Sequence, residues 1–129
     1  MRIYYKYFFL VFPLLSATTI DHNNICGTYV INNSEWGGQT LVIKNNRHFI
    51  ETITSCVSGN QTTGKWETNQ DTIILETTLR KDLRTKQEFK IDNTIEKYLI
   101  KVDTLFRINN ENGSVTLDSE FALIRKRKK

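Results

Sequence analysis

"TTGKWETNQDTIILETTL", Thr62 to Leu79, decides how this chain is read. Ile73, Leu75, Thr77 and Leu79 fall on one face, the two-residue period of a strand and not the 3.6 of a helix. Asn69-Gln70-Asp71 separates this run from Thr62–Thr68 and consists of turn-forming residues. Two antiparallel strands joined by a tight turn follow, with Trp66 of Gly64-Lys65-Trp66 predicted to be core.

The same period spreads in both directions. Upstream it gives strands at Gly27–Asn32, Gln39–Asn45 and His48–Cys56, the last with Phe49, Glu51 and Ile53 on one face. Asn45-Asn46-Arg47 reads as a turn in which Asn takes the left-handed backbone. Downstream, Arg80–Lys86 is charged, and Leu79 and Leu83 are spaced for a short helix. Strands follow at Thr85–Ile91 and Glu96–Val102, separated by an Asp92-Asn93 turn, then at Thr104–Asn109. Asn112-Gly113 is a strong hairpin signal, and a last strand runs through Phe121 and Leu123 to Arg125.

Eight to ten short strands at roughly ten-residue spacing predict an all-β fold, an antiparallel barrel or sandwich. Nearly every connection is of hairpin length, so an up-and-down barrel is expected over a Greek key. The predicted inside comprises Tyr29, Ile31, Leu41, Ile43, Phe49, Ile53, Trp66, Ile73, Leu75, Phe89, Tyr98, Phe106 and Phe121. Such a barrel is either filled by these side chains or holds one small ligand.

The chain of 129 residues suits one domain. Met1–Thr19 reads as a signal peptide: basic Arg2 and Lys6, the apolar run Tyr7–Leu15, then small residues from Ser16. A membrane-spanning helix needs roughly 20 apolar residues; Pro13 interrupts this run and Asp21 ends it. Residues 20–26 form a leader, 27–126 the barrel and 127–129 a basic tail. Export to the periplasm or the exterior is the expectation. Two Lys and Arg residues lie in the signal and five in Arg125–Lys129, leaving 11 of 18 against all 14 acids. The domain body is thus mildly acidic, which argues against nucleic-acid binding. Membrane contact is at most peripheral, through the basic tail.

Gly27-Thr28-Tyr29 opens the first strand, Gly64-Lys65-Trp66 and Asp71-Thr72-Ile73-Ile74-Leu75 form the central pair, and an apolar strand ending in basic residues, Phe121–Lys126, closes the chain. In these motifs the chain resembles small exported bacterial proteins with a lipocalin-like barrel, many of them uncharacterised, over most of Cys26–Lys126. True lipocalins open with Gly-x-Trp where this chain has Tyr29, and their closing basic residue packs under that ring. The resemblance implies that role for Arg125 through a cation–π contact. It also implies a barrel and binding of an apolar ligand.

Catalytic signals are sparse. His22 and His48 form no metal-ligand pair, no Cys-x-x-Cys occurs, and no Gly-x-Ser-x-Gly elbow is present. No enzymatic activity, metal or cofactor is expected. Glu51 alternates with Phe49 and Ile53, so it is expected to point inward, pair with an inward Lys or Arg, or lie at the barrel mouth. Trp36, in the Gly37-Gly38 loop, either contacts a ligand or partner or caps the barrel's open end. Tyr29, Trp36, Phe49, Glu51, Trp66, Leu75, Phe89 and Phe106 are the candidate ligand-binding residues of the interior and mouth.

Two functions compete: binding of a small apolar or amphipathic molecule in the barrel, and a protein partner met as an inhibitor or envelope accessory protein through the loops at Trp36, Val57–Gln61 and Arg80–Lys86. A cavity of about 300 Å³ or more lined by the apolar face marks the first. A filled barrel with an exposed apolar loop patch marks the second.

Cys26 and Cys56 are the only cysteines. A lipid anchor needs small residues directly before the cysteine, and Asn24-Ile25 stand there, so anchoring at Cys26 is not expected. A disulfide suits an oxidising compartment. In an up-and-down barrel, however, Cys26 starts strand one and Cys56 ends strand three, at opposite ends of the barrel, so no bridge between them is expected. Six strand residues span about 20 Å, whereas a bridge needs Cα atoms within about 7 Å.

Overall fold

The alternation closes into one sheet. In the computed structural model, which describes residues 22–31, 37–109 and 122–127, eight antiparallel strands follow a four-residue helix, α1 (His22–Ile25). They are β1 (Gly27–Ile31), β2 (Gly38–Ile43), β3 (His48–Thr54), β4 (Gly59–Asn69), β5 (Thr72–Asp82), β6 (Glu88–Lys101), β7 (Thr104–Ile108) and β8 (Leu123–Arg125). Each strand pairs with the next, and β8 returns to β1. This is the up-and-down barrel, and closure removes the sheet edges that would template aggregation. The signal segment Met1–Thr19, Trp36, Asn112-Gly113, Phe121 and residues 128–129 lie outside the described residues.

The two ends of the barrel differ. Gly27 pairs with Ile43 and Ile43 with Phe49, which sets one end; Gly38 pairs with Thr54 and Thr54 with Gly59 at the other. At the first end Ile25, Tyr29, Leu41, Ile43, Phe49, Trp66, Ile73, Leu75, Tyr98, Leu105 and Leu123 form one buried cluster. Burying each large apolar side chain contributes about 1.5–3 kcal/mol against its ordering cost. α1 sits in the segment read as a leader, yet Ile25 belongs to this core. The Tyr29 hydroxyl donates to the Ile25 carbonyl at 2.7 Å. Arg125 donates to the Cys26 carbonyl, and its guanidinium lies 5.9 Å from the Tyr29 ring centroid. The Trp66 indole N–H donates to the Lys44 carbonyl at 2.8 Å, and Arg47 stands 5.4 Å over its ring.

Several local expectations change. Arg80–Lys86 forms no helix: β5 runs to Asp82 and a turn follows. The Asp82 carboxylate accepts the backbone N–H groups of Arg84 at 2.8 Å and Thr85 at 3.1 Å, a local alternative to helical bonding. These bonds, Thr85's first, hold its pKa below the ordinary carboxylate value. The Asp92-Asn93 turn does not form either. The two strands expected around it are one 14-residue strand, β6. In the Asn45–Arg47 turn the left-handed residue is Arg47, with φ 67°, and the Asn46 side chain instead accepts the His48 N–H.

Two irregularities re-aim side chains. Gly64 pairs with Thr77 and Thr63 with Leu79, so Thr78 has no counterpart on β4. On the other side Thr77 pairs with Thr94 and Leu79 with Lys90, so residues 91–93 stand against Thr78 alone. A bulge adds a residue and reverses which face the following ones occupy. Leu79 therefore leaves the face of Ile73, Leu75 and Thr77, and Arg80 takes the lumen side beside Thr62 and Phe89. Phe106 is also corrected. It pairs with Leu99 on the outer face, while Leu105 pairs with Ile100 and Leu123 and is fully buried. Leu105 and Phe106 are adjacent, so alternation alone cannot choose between them; cross-strand register does.

Candidate functional site in the open half of the barrel

Among the described residues, the half of the lumen away from α1 is polar and open. A cleft of about 140 Å³ there is lined by Glu51, Ile53, Asn60, Thr62, Thr77, Arg80, Ile91, Thr94 and Glu96. Strand register explains the set. Leu41 pairs with Glu51 and Glu51 with Thr62, and Leu75 pairs with Glu96, so one step along each strand exchanges the apolar core for a polar floor. Ile53 and Phe89 also lie on the lumen face, yet they are 48% and 50% exposed, because the other described residues do not fill this half.

The floor is a charged network. Glu51 is 6% exposed, and its carboxylate accepts one hydrogen bond, from the Gln39 amide at 3.2 Å. Burial first, then the nearby Glu96 charge, push its pKa up to about 7; the Gln39 bond and Arg107 oppose the shift without cancelling it. Glu96 is better compensated. Arg107 meets one of its oxygens at 3.4 Å, and the Tyr98 hydroxyl donates to the other at 3.3 Å. Burial, then Glu51 and Glu96, drive the Tyr98 phenol far above its ordinary value. Such a floor can seat a cation, hold polar groups by hydrogen bonds, or exchange a proton near neutral pH.

Of the residues predicted for binding, Tyr29, Phe49, Trp66 and Leu75 are packed together in the closed half as core. Glu51 and Phe89 reach the open half. Phe106 is on the outer face, its ring 6.0 Å from the Lys101 ammonium. Trp36 lies outside the described residues. Gln39, Glu96 and Arg107 were not anticipated, and Arg80 was expected only in the Arg80–Lys86 loop that would meet a protein partner. Glu96 carried a readable signal, since it precedes inward Tyr98 by two residues. Arg80 carried none, because the bulge at Thr78 brings it inward. Among the described residues no cluster of three His, Cys, Asp or Glu side chains could hold a metal ion, and no helix is long and apolar enough to cross a membrane.

No protein-family model matches the chain, and neither a curated protein nor a solved structure matches it.

Proposed function

We propose that this is an exported, non-enzymatic binding protein that takes a small amphipathic molecule into the open half of its barrel. The observation that carries the reading is the mixed lining of that half: half-exposed Ile53 and Phe89 on the lumen face beside buried Glu51 and the threonine hydroxyls. Apolar surface left in water inside a concave, partly polar site is the usual character of a ligand pocket. At about 140 Å³ the cleft falls short of the roughly 300 Å³ at which drug-sized pockets begin. The occupant is therefore small, or leaves part of itself outside. The filled closed half favours an amphipathic ligand over a wholly apolar one. Arg125 over the Tyr29 ring supports the likeness to lipocalin-type barrels, and the sequence of residues 1–19 supports export.

The test is a panel of short-chain amphiphiles added to isotope-labelled protein, followed by amide chemical shifts. Shifts are expected at Glu51, Ile53, Thr77, Ile91 and Glu96. A panel that moves no signal there, or moves only those of the outer face, overturns the reading.

A further inference from the structure

We propose that the cleft selects molecules whose polar end is a cation, a primary amine or its like, seated against the Glu51 carboxylate. This rests on the reading that the open half binds a small amphiphile, and it specifies that ligand's chemistry.

The argument is one of charge compensation. Glu96 has Arg107 on one oxygen and the Tyr98 hydroxyl on the other. Glu51 has only a neutral amide. Among the described residues no cation stands within ion-pair distance of it, although it is the more buried acid of the two. The groups facing it are accounted for strand by strand. β2 brings Gln39. β4 brings Thr62, which carries no charge. β5 brings Arg80, exposed at the mouth and screened by solvent. β6 brings Glu96 and Tyr98. β7 brings Arg107, whose side chain is 65% exposed and engaged with Glu96. The uncompensated charge of the lumen is thus the one at its floor.

A buried carboxylate without a counter-charge is costly, and two states relieve it: protonation, or the arrival of a cation. With its pKa near 7, Glu51 stands between the two at neutral pH. An ammonium head that meets the carboxylate displaces its proton to the bulk solvent, so one carboxyl O–H breaks and a charge-assisted N–H···O bond forms. The apolar tail then lies toward Ile53, Ile91 and Phe89. An anionic head in the same place meets Glu51 and Glu96 and is repelled.

The experiment compares n-hexylamine, hexanol and hexanoate, which share one tail, by the chemical-shift titration above. The amine is expected to bind most tightly. Its affinity is expected to rise on the order of 30-fold from pH 5.5 to 8, the ratio of ionised Glu51 at those pH values. Calorimetry at pH 7 in buffers of different ionisation enthalpy is expected to show proton release on the wild-type protein, with no variant needed. Glu51→Gln is expected to lose both the amine preference and the pH dependence. Glu96→Gln, which removes a repelling charge and frees Arg107 for Glu51, is expected to move the onset of amine uptake to lower pH. Hexanol or hexanoate binding as tightly as the amine, or amine binding without proton release, overturns the inference and leaves the binding reading standing. If none of the three binds while other amphiphiles do, the inference falls alone; if no amphiphile binds, both fall.

Discussion

Glu51 shows how one buried residue makes the fold sensitive to pH. Its pKa is about 7 in the barrel against 4.5 as an ordinary carboxyl group. The folded state therefore holds its proton more tightly than the unfolded chain, and the destabilisation appears as pH rises. It begins above about 4.5, where the unfolded chain ionises, and is complete above about 7. Spread over that window it amounts to about 3 kcal/mol. Urea unfolding at pH 5 and pH 8 checks this. The wild type is expected to lose up to about 3 kcal/mol relative to Glu51→Gln across the interval, and equal slopes for both proteins would contradict it. The inward direction of Glu51 was legible from its alternation with Phe49 and Ile53. Its partner was not. The alternatives were an inward Lys or Arg or a place at the barrel mouth, and the structure supplies Gln39, from a neighbouring strand whose register no local pattern encodes.

At the scale of elements, the bulge in the β4–β5 hairpin separates the apolar half from the polar half. Gly64 makes it possible. A Cβ built there would lie 1.8 Å from the Glu76 carbonyl oxygen and 2.9 Å from the Phe49 ring. Neither can withdraw cheaply, because one is strand backbone and the other is core. Gly64→Ala is expected to destabilise the protein by about 3 kcal/mol or more, the upper range for overpacking. Chemical denaturation measures it, and a loss under 1 kcal/mol would show that the strands have room to part. The hairpin itself was readable in the opening stretch: two alternating runs about a polar turn. The bulge within it was not, since Thr77-Thr78-Leu79 continues the alternation unbroken. Hence Leu79 was read onto the face of Ile73, Leu75 and Thr77 and Arg80 into a charged, helix-spaced stretch, whereas the pairing turns Leu79 off that face and Arg80 onto it. The merging of two expected strands into β6 has the same cause. Asp92-Asn93 has turn chemistry, but neighbouring β5 lets the strand continue past it as a bulge.

At the scale of the molecule, the up-and-down order fixes where the cysteines can go. Cys26 precedes β1 at the α1 end, and Cys56 follows β3 at the open end, so the strand order sets the two sulfurs at opposite ends of the barrel. Denatured but unreduced protein is expected to titrate two thiols per chain. Fewer than two would mean that the ends approach each other, against the strand order. The closed end is built to stay shut: α1, the Tyr29 hydroxyl on the Ile25 carbonyl, and Arg125 bridging the Cys26 carbonyl and Asp103 tie the first and last strands together. The open end has no such closure among the described residues, and the proposed site is there.

The sequence by itself determined the strand period, the hairpin order and the membership of most of the core. These follow from two-residue alternation, turn chemistry and the placement of the first and last strands, which are properties of neighbouring residues or of simple closure. Only the tertiary structure decided that Leu105 and not Phe106 turns inward, that Arg80 enters the lumen, and that Glu96 takes Arg107 while Glu51 is left with an amide. Register arises from pairing between strands, and each bulge resets it. Residues one position apart on the chain thereby exchange core for solvent, and the polar floor of the barrel is assembled from five strands that no local reading could align.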